Sequence, residues 1–280
     1  MPNRFHISPG RPYFCVVGSP IDHSKSPQIH QEFALQFGIE LSYEKIKVEP
    51  NDFCEALAEF VASGGRAMNI TVPHKEAACA CADIRSERAD LAGAANMISV
   101  GPDGETIADN SDGAGLIRDL LVNHQLELRG SRILLLGAGG AARGVVPSLL
   151  EQGPSELVIA NRTRLKADEL TERFGSLGPI RAAEFSTIGD GGFGLIVNAT
   201  SLSLSGEIPP LDPTYIEAST WCYDMMYTST GRTPFLDWCL SNGAAGCSDG
   251  LGMLVEQAAN AFSLWHGKAP DTTPVIECLR

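Results

Sequence analysis

No apolar run in the 280 residues reaches the length, about 18 residues, that would suggest a membrane-spanning helix. The first stretch, Met1 to Arg11, holds Pro, Arg and His but no apolar core of a signal peptide, so a cytoplasmic protein is expected. Positive charge is scarce: 21 Lys and Arg stand against 34 Asp and Glu, a formal charge of −13. That excludes a general binder of nucleic acid or anionic membranes, since both require a positive surface. It also means that an anionic ligand needs a local positive site against an unfavourable overall field. Cys-x-x-Cys pairs are missing, although eight cysteines are scattered at positions 15, 54, 79, 81, 222, 239, 247 and 278. No metal site is expected. Cysteines set among apolar helical residues, as Cys54 and Cys239 are, read as small buried hydrophobes in a reducing compartment. Low-complexity segments and short-period repeats are absent as well.

What is present is an alternation of strand-like and helical patterns, the signature of an α/β architecture with mostly parallel sheets. The first half reads as strand 13–18, helix 27–38, strand 42–48, helix 52–64, strand 66–72 and helix 75–82. Short strands near 96–100 and 106–110 flank the turn Gly101-Pro102-Asp103-Gly104, whose chemistry predicts a hairpin. A helix is expected from Asp112 to Asn123. The second half restarts with strand 132–137, helix 140–152, strand 156–161 and helix 164–174. Strands 180–185, 194–199 and 221–226 follow, then helices 233–242 and 252–266. The halves read as two βαβ layers, with a crevice between them as the natural ligand site.

The strand Arg132-Ile133-Leu134-Leu135-Leu136 runs straight into Gly137-Ala138-Gly139-Gly140-Ala141-Ala142. Gly137 allows a tight turn, Gly139 lets backbone approach a pyrophosphate, and small Ala142 permits close helix–strand packing. The helix that follows offers free N–H groups and partial positive charge to phosphates. The next strand, Leu157-Val158-Ile159-Ala160, ends in Asn161-Arg162-Thr163-Arg164, with Lys166 close behind. Enzymes using NAD usually place an acid there, which would repel a 2′-phosphate; Arg162 can stack on adenine and pair with that phosphate. The expected cofactor is NADP.

Three features of the first half carry possible chemistry. Ser24-Lys25-Ser26-Pro27 opens a helical pattern, with Ser26 suited to the N-cap and both hydroxyls suited to cradling a carboxylate. Asn69-Ile70-Thr71-Val72-Pro73-His74-Lys75-Glu76 gathers polar side chains at a strand's C-terminal end, where α/β sheets place ligand groups. Lys75 begins a helix, a position the macrodipole reserves for anions, which makes it either a surface accident or functional. Asp109-Asn110-Ser111-Asp112-Gly113 repeats the strand-to-helix arrangement, with Asp112 a competent N-cap. Asn96 is similarly ambiguous. Gln257 shares a helical face with Met253, Ala261 and Leu264, an apolar stripe that should pack, and a glutamine there is expected to be partly exposed.

Taken together these segments resemble the shikimate dehydrogenase family over nearly the whole chain. The match extends through Gly93-Ala94-Ala95-Asn96, Asn198-Ala199-Thr200-Ser201, Tyr223-Asp224-Met225-Met226-Tyr227, Thr233-Pro234-Phe235-Leu236 and Asp249-Gly250-Leu251-Gly252-Met253-Leu254. The resemblance implies two domains: a substrate domain over 1–112, to which 250–280 returns, and a Rossmann NADP domain over 113–249. It implies reversible NADPH-dependent reduction of 3-dehydroshikimate to shikimate, on the route to chorismate and the aromatic amino acids. By position Ser24 and Ser26 would hold the substrate carboxylate. Asn69, Thr71, Asn96, Asp112 and Gln257 would bind ring hydroxyls, with Lys75 and Asp112 as the catalytic pair. Tyr227 and Gly250 would close around the carboxylate and nicotinamide. Gly137, Ala138, Gly139, Gly140, Ala141, Asn161, Arg162, Thr163, Lys166 and Thr200 would bind the cofactor. The expected partner is the small-molecule substrate, with no nucleic acid and no membrane, and a monomer or homodimer is expected.

Two positions depart from the family pattern. Ser203 stands where glycine is common, beside the cofactor loop, and Lys166 stands where an arginine often grips the 2′-phosphate. A lysine, lacking the planar fork, weakens the preference for NADP over NAD. Two alternatives follow: a quinate/shikimate dehydrogenase using NAD or NADP, and a non-catalytic NADP-sensing regulator. Arg162-Thr163 in place of an acid leans against the first, and intact Lys75 and Asp112 against the second.

Overall fold

The computed structural model describes residues 4–5, 7, 12–228 and 230–280. The stretch Met1 to Arg11, read above for a leader, lies outside them apart from Arg4, Phe5 and Ile7. Among the described residues no helix is long and apolar enough to cross a membrane. The chain divides into two compact units, Met1–Asp112 with Gln257–Val275, and Gly113–Glu256 with Ile276–Arg280.

The first unit is built on β1 (Tyr13–Gly18), α1 (Ser26–Gln36), β2 (Ser42–Lys47), α2 (Phe53–Ala62) and β3 (Ala67–Ile70). It continues with α3 (Lys75–Cys81), β4 (Ile84–Arg85), α4 (Glu87–Ala92), β5 (Met97–Val100) and β6 (Thr106–Asp109). The six strands form one sheet in the order β2-β1-β3-β5-β6-β4. β1 is parallel to both β2 and β3, whereas β5 runs antiparallel to β3 and to β6. Every residue of β1 is buried, as expected of an inner strand covered on both faces, while β2 at the edge mixes half-buried and exposed residues. One face is filled by Phe5, Tyr13, Phe53, Phe60 and Met68. The other holds a cluster of rings that includes Phe14, His30, Phe33, Phe262 and Trp265. The expected hairpin forms between β5 and β6, with Gly104 at φ +87° in the turn.

The second unit carries α5 (Asp112–Arg118, its first residue in the other unit), β7 (Arg132–Leu136), α6 (Gly140–Glu151), β8 (Glu156–Ala160) and α7 (Arg164–Phe174). Then come β9 (Ile180–Ala183), β10 (Leu195–Asn198), β11 (Trp221–Asp224), α8 (Pro234–Ser241), β12 (Gly246–Asp249), α9 (Leu251–His266), which from Gln257 onward belongs to the first unit, and α10 (Thr273–Leu279), which does so up to Val275. Its sheet, β12-β11-β10-β7-β8-β9, is parallel throughout. The order reverses between β7 and β10, the switch point beside which such sheets bind dinucleotides.

Four expectations need correction. The helix expected over 112–123 is α-helical only to Arg118 and continues as a π-helical turn over Asp119–Asn123. There buried Asp119 accepts from the Tyr223 hydroxyl at 2.6 Å and from Asn123 Nδ2 at 2.9 Å. Cys54 is exposed rather than a buried hydrophobe, and a disulfide joins it to Cys81, tying α2 to α3. Leu264, expected to pack with its stripe, is 57% exposed, although Met253 and Ala261 are buried. Ser26 is the first helical residue rather than the cap, which is Lys25 with no side-chain hydrogen bond.

Candidate active site

Lys75 is the first residue of α3, where the helix dipole disfavours a cation. Its ammonium is compensated by Asp112, with Nζ donating to Oδ2 at 2.5 Å. The lysine side chain is 18% exposed and the aspartate 6%, so the pair is largely removed from solvent yet reachable. The Lys75 carbonyl accepts from the Ala95 N–H at 2.8 Å, tying the helix start to the segment that leads into β5. Asp112 is held from its other side: its N–H donates to Asn110 Oδ1 at 3.0 Å, and its Oδ1 accepts from Asn96 Nδ2 at 2.9 Å.

Asn96 is the hub of this cluster. Its amide nitrogen also lies 3.0 Å from Ser111 Oγ and 3.0 Å from Gln257 Oε1, so two hydrogens face three acceptors. Its Oδ1 accepts from the Ser111 N–H at 2.9 Å, and the Ser111 hydroxyl donates to the Gln257 carbonyl at 3.2 Å. Gln257 is therefore buried and bonded to Asn96, not partly exposed as expected from its apolar stripe. Lys75, Asn96, Asp112 and Gln257, spread over 183 positions of sequence, form one polar group inside the first unit.

The remaining substrate-side candidates adjoin it. Asn69, buried at the end of β3, turns Nδ2 toward the Asn96 carbonyl at 3.5 Å. Its Oδ1 accepts from the Tyr43 hydroxyl at 2.6 Å. Ser26, buried at the start of α1, accepts from the Ser24 hydroxyl at 3.2 Å, and Ser24 Oγ accepts the Ser26 N–H at 3.3 Å. Thr71 sits on the β3–α3 connection. Its methyl group lies where a side chain at Gly18 would have to go, so Gly18 is needed for that approach. Tyr43 was not singled out in the sequence; a lone tyrosine on a strand looks like core.

In the second unit the glycine turn fits a pyrophosphate. Gly137 takes φ +103°, and a Cβ there would lie 3.1 Å from Thr200 Cγ2, which makes glycine necessary. Gly139 caps α6 without a side-chain hydrogen bond, and a Cβ built on Gly139 or Gly140 would meet nothing within 4 Å. The first N–H groups of α6 are thus open to an anion. Ala142 is fully buried, as the packing of that helix on its strand demands, and Ala138 is buried as well. At the end of β8 Asn161 Nδ2 bonds the Thr163 carbonyl at 2.8 Å. Arg162 and Lys166 are exposed and make no ion pair among the described residues, whereas Arg164 pairs with Asp168. Two uncommitted cations suit a 2′-phosphate, which supports the residues' fit to NADP.

Thr200 donates its N–H and hydroxyl to Asn198 Oδ1, at 3.0 and 2.7 Å. Asn198 Nδ2 in turn donates to Asp224 at 3.2 Å. Asp224 also accepts from Ser203 and Thr233 hydroxyls, each at 2.6 Å, and from the Met226 N–H at 3.1 Å. Burial holds the Asp224 carboxyl above the usual range despite those donors. Ser203, the departure from the family pattern, thus ties the cofactor-side loop to the end of β11. Gly250 donates to the Met226 carbonyl at 3.0 Å, and a side chain there would collide with the Met225 backbone. Tyr227 lies on the same β11 loop, half-buried.

Three family models match the chain. They are described as "Shikimate dehydrogenase substrate binding domain" over residues 16–98, "Shikimate / quinate 5-dehydrogenase" over 120–190, and "Shikimate 5'-dehydrogenase C-terminal domain" over 250–280. A relative named shikimate dehydrogenase (NADP(+)) from Alkalilimnicola ehrlichii is 48% identical over 267 residues, 95% of this chain and 98% of that one. Among solved structures, an Ael1 enzyme from Pseudomonas putida is 44% identical with a TM-score of 0.89, covering 96% of this chain and 98% of its own. Shikimate 5-dehydrogenase from Thermus thermophilus, in complex with NADP(H) and shikimate, is 32% identical with a TM-score of 0.83, covering 96% and 99%.

Proposed function

The chain belongs to the shikimate dehydrogenase family, and from that premise we propose that it catalyses the reversible NADPH-dependent reduction of 3-dehydroshikimate to shikimate, a step toward chorismate and the aromatic amino acids. The observation that carries this reading is the Lys75–Asp112 pair at 2.5 Å, set beside the amides of Asn96 and Gln257. A lysine ammonium held by a carboxylate and facing a set of neutral hydrogen-bonding groups suits reduction of a ketone on a hydroxylated ring.

The first unit acts as the substrate domain. Ser24 and Ser26 hold the substrate carboxylate, and Asn69, Thr71, Asn96, Asp112 and Gln257 hold ring hydroxyls. Lys75 stabilises the negative charge that develops on the carbonyl oxygen and delivers a proton to it. Asp112 aims the ammonium by accepting its hydrogen bond. In the reverse direction the pair takes the proton from the alcohol.

The second unit acts as the NADP domain, and the bound cofactor supplies the hydride. Gly137, Ala138, Gly139, Gly140 and Ala141 hold its pyrophosphate through backbone N–H groups. Asn161, Arg162, Thr163 and Lys166 hold the 2′-phosphate and its ribose, and Thr200 and Gly250 border the nicotinamide. The protein works in the cytoplasm as a monomer or homodimer. Purified protein is expected to oxidise shikimate with NADP in a steady-state comparison of shikimate and quinate with both cofactors. Robust turnover of quinate with NAD, with none of shikimate with NADP, would overturn the proposal.

A further inference from the structure

We propose that Tyr43 is a positioning residue of the substrate site: its hydroxyl holds the Asn69 amide with the nitrogen end toward bound substrate. The inference rests on the substrate-site reading above and adds to it a residue that touches no substrate. Its first support is the orientation of Asn69. The Asn96 carbonyl, at 3.5 Å, can face only the nitrogen end of that amide, which puts Oδ1 against Tyr43. Oδ1 there takes the phenol hydrogen at 2.6 Å, and His30 lies beside the same amide. The hydrogens of Nδ2, engaged by one long contact, are the capacity left for a ligand oxygen. Tyr43 on β2 and Asn69 on β3 thereby form one hydroxyl-to-amide link.

The second support is how firmly the Tyr43 ring is seated, although it stands on an edge strand. It stacks on His30 with centroids 4.6 Å apart and planes 20° apart. His30 stacks on Trp265 at 5.3 Å and 19°, and Trp265 Nε1 donates to Ser99 Oγ at 3.1 Å. This column of three rings spans from β2 to α9 and fixes where the phenol oxygen sits. Burial keeps the Tyr43 hydroxyl protonated by raising its pKa, so it remains a donor.

The test separates hydroxyl from ring, and Tyr43 from the site. Tyr43→Phe keeps the column and is expected to raise the KM for shikimate by about tenfold, the equivalent of one lost hydrogen bond. The kcat should stay within about twofold, since no group on the reacting oxygen changes, and the KM for NADP should not move. Asn69→Ala should raise the shikimate KM as well, and adding Tyr43→Phe to it should do nothing further, because the hydroxyl then has no amide to hold. An unchanged KM in Tyr43→Phe beside a raised one in Asn69→Ala overturns this inference and leaves the site reading standing. Full additivity of the two changes also overturns it, since Tyr43 would then act by some route other than Asn69. An unchanged KM in Asn69→Ala overturns the site assignment and the inference together. Should Tyr43→Phe fail to fold, Asn69→Asp reads the same orientation: it puts an oxygen where Nδ2 faces substrate, so a wild-type KM in that variant overturns the proposal.

Discussion

His30 gives a pH-dependence of stability that can be worked out in advance. The imidazole is fully buried between Tyr43 and Trp265, and burial, aided by the neighbouring His266, pulls its pKa from 6.5 down to about 3. Between those two values the unfolded chain binds a proton that the folded chain refuses. Folding stability therefore holds above pH 6.5 and falls as pH drops through the interval. From 6.5 down to pH 5, at 1.36 kcal/mol for each pH unit, the loss comes to about 2 kcal/mol. His30→Phe removes the titration and keeps a ring in the column. His266, Tyr43 and all the carboxylates are retained in both proteins, so their contributions largely cancel in the comparison. Urea unfolding at pH 8 and pH 5, followed through Trp265 in a Trp221→Phe, Trp238→Phe background, gives the two differences directly. Wild type should lose about 2 kcal/mol more than the His30→Phe protein over that range. If the two proteins lose stability in parallel, the folded chain accommodates a charged His30 and the burial argument fails.

Two further outcomes are expected. Lys75→Ala should lower kcat by about 10²–10⁴-fold, the usual contribution of a positioned acid–base group, while NADPH affinity measured by fluorescence titration stays within a few fold; intact turnover would remove Lys75 from its role. Arg162→Ala should raise the KM for NADP by about 10–100-fold, from the roughly 1.5–3 kcal/mol of a charge-assisted hydrogen bond, and leave the KM for NAD nearly unchanged. An unchanged ratio of the two would mean that another group reads the 2′-phosphate.

What could be read from the sequence is what is local along the chain. The strand–glycine–helix turn at 137–142 and the cationic end of β8 are each confined to a few residues, so spacing alone describes them. The hairpin at 101–104 is legible for the same reason. Gln257 is the opposite case: its partner Asn96 lies 161 positions away, and on its own helix it looks like a polar residue in an apolar stripe. Only the resemblance assigned it to the site. Ser26 looked like a helix cap because a serine before a proline usually is one, yet Ser24 takes its N–H. The pairing of Cys54 with Cys81 has no spacing signal, and β4, with two exposed residues, has no periodicity to detect. The π-helical turn after Arg118 answers to Tyr223, more than a hundred residues further on.

The arrangement around Asn96 has a consequence for selectivity. Its two amide hydrogens are contested by a serine hydroxyl oxygen, a carboxylate oxygen and a glutamine oxygen. Beside those oxygens the Lys75 ammonium and the Asn69 amide stand as donors, so an added molecule meets both takers and givers of protons. A pocket wall of that kind discriminates by hydrogen-bond pairing as well as by shape: a ring stripped of one hydroxyl would fit the space and still leave a polar group of the wall with one partner fewer. A polyhydroxylated ring, by contrast, can give hydrogens to such oxygens and take them from the Lys75 ammonium and the Asn69 amide.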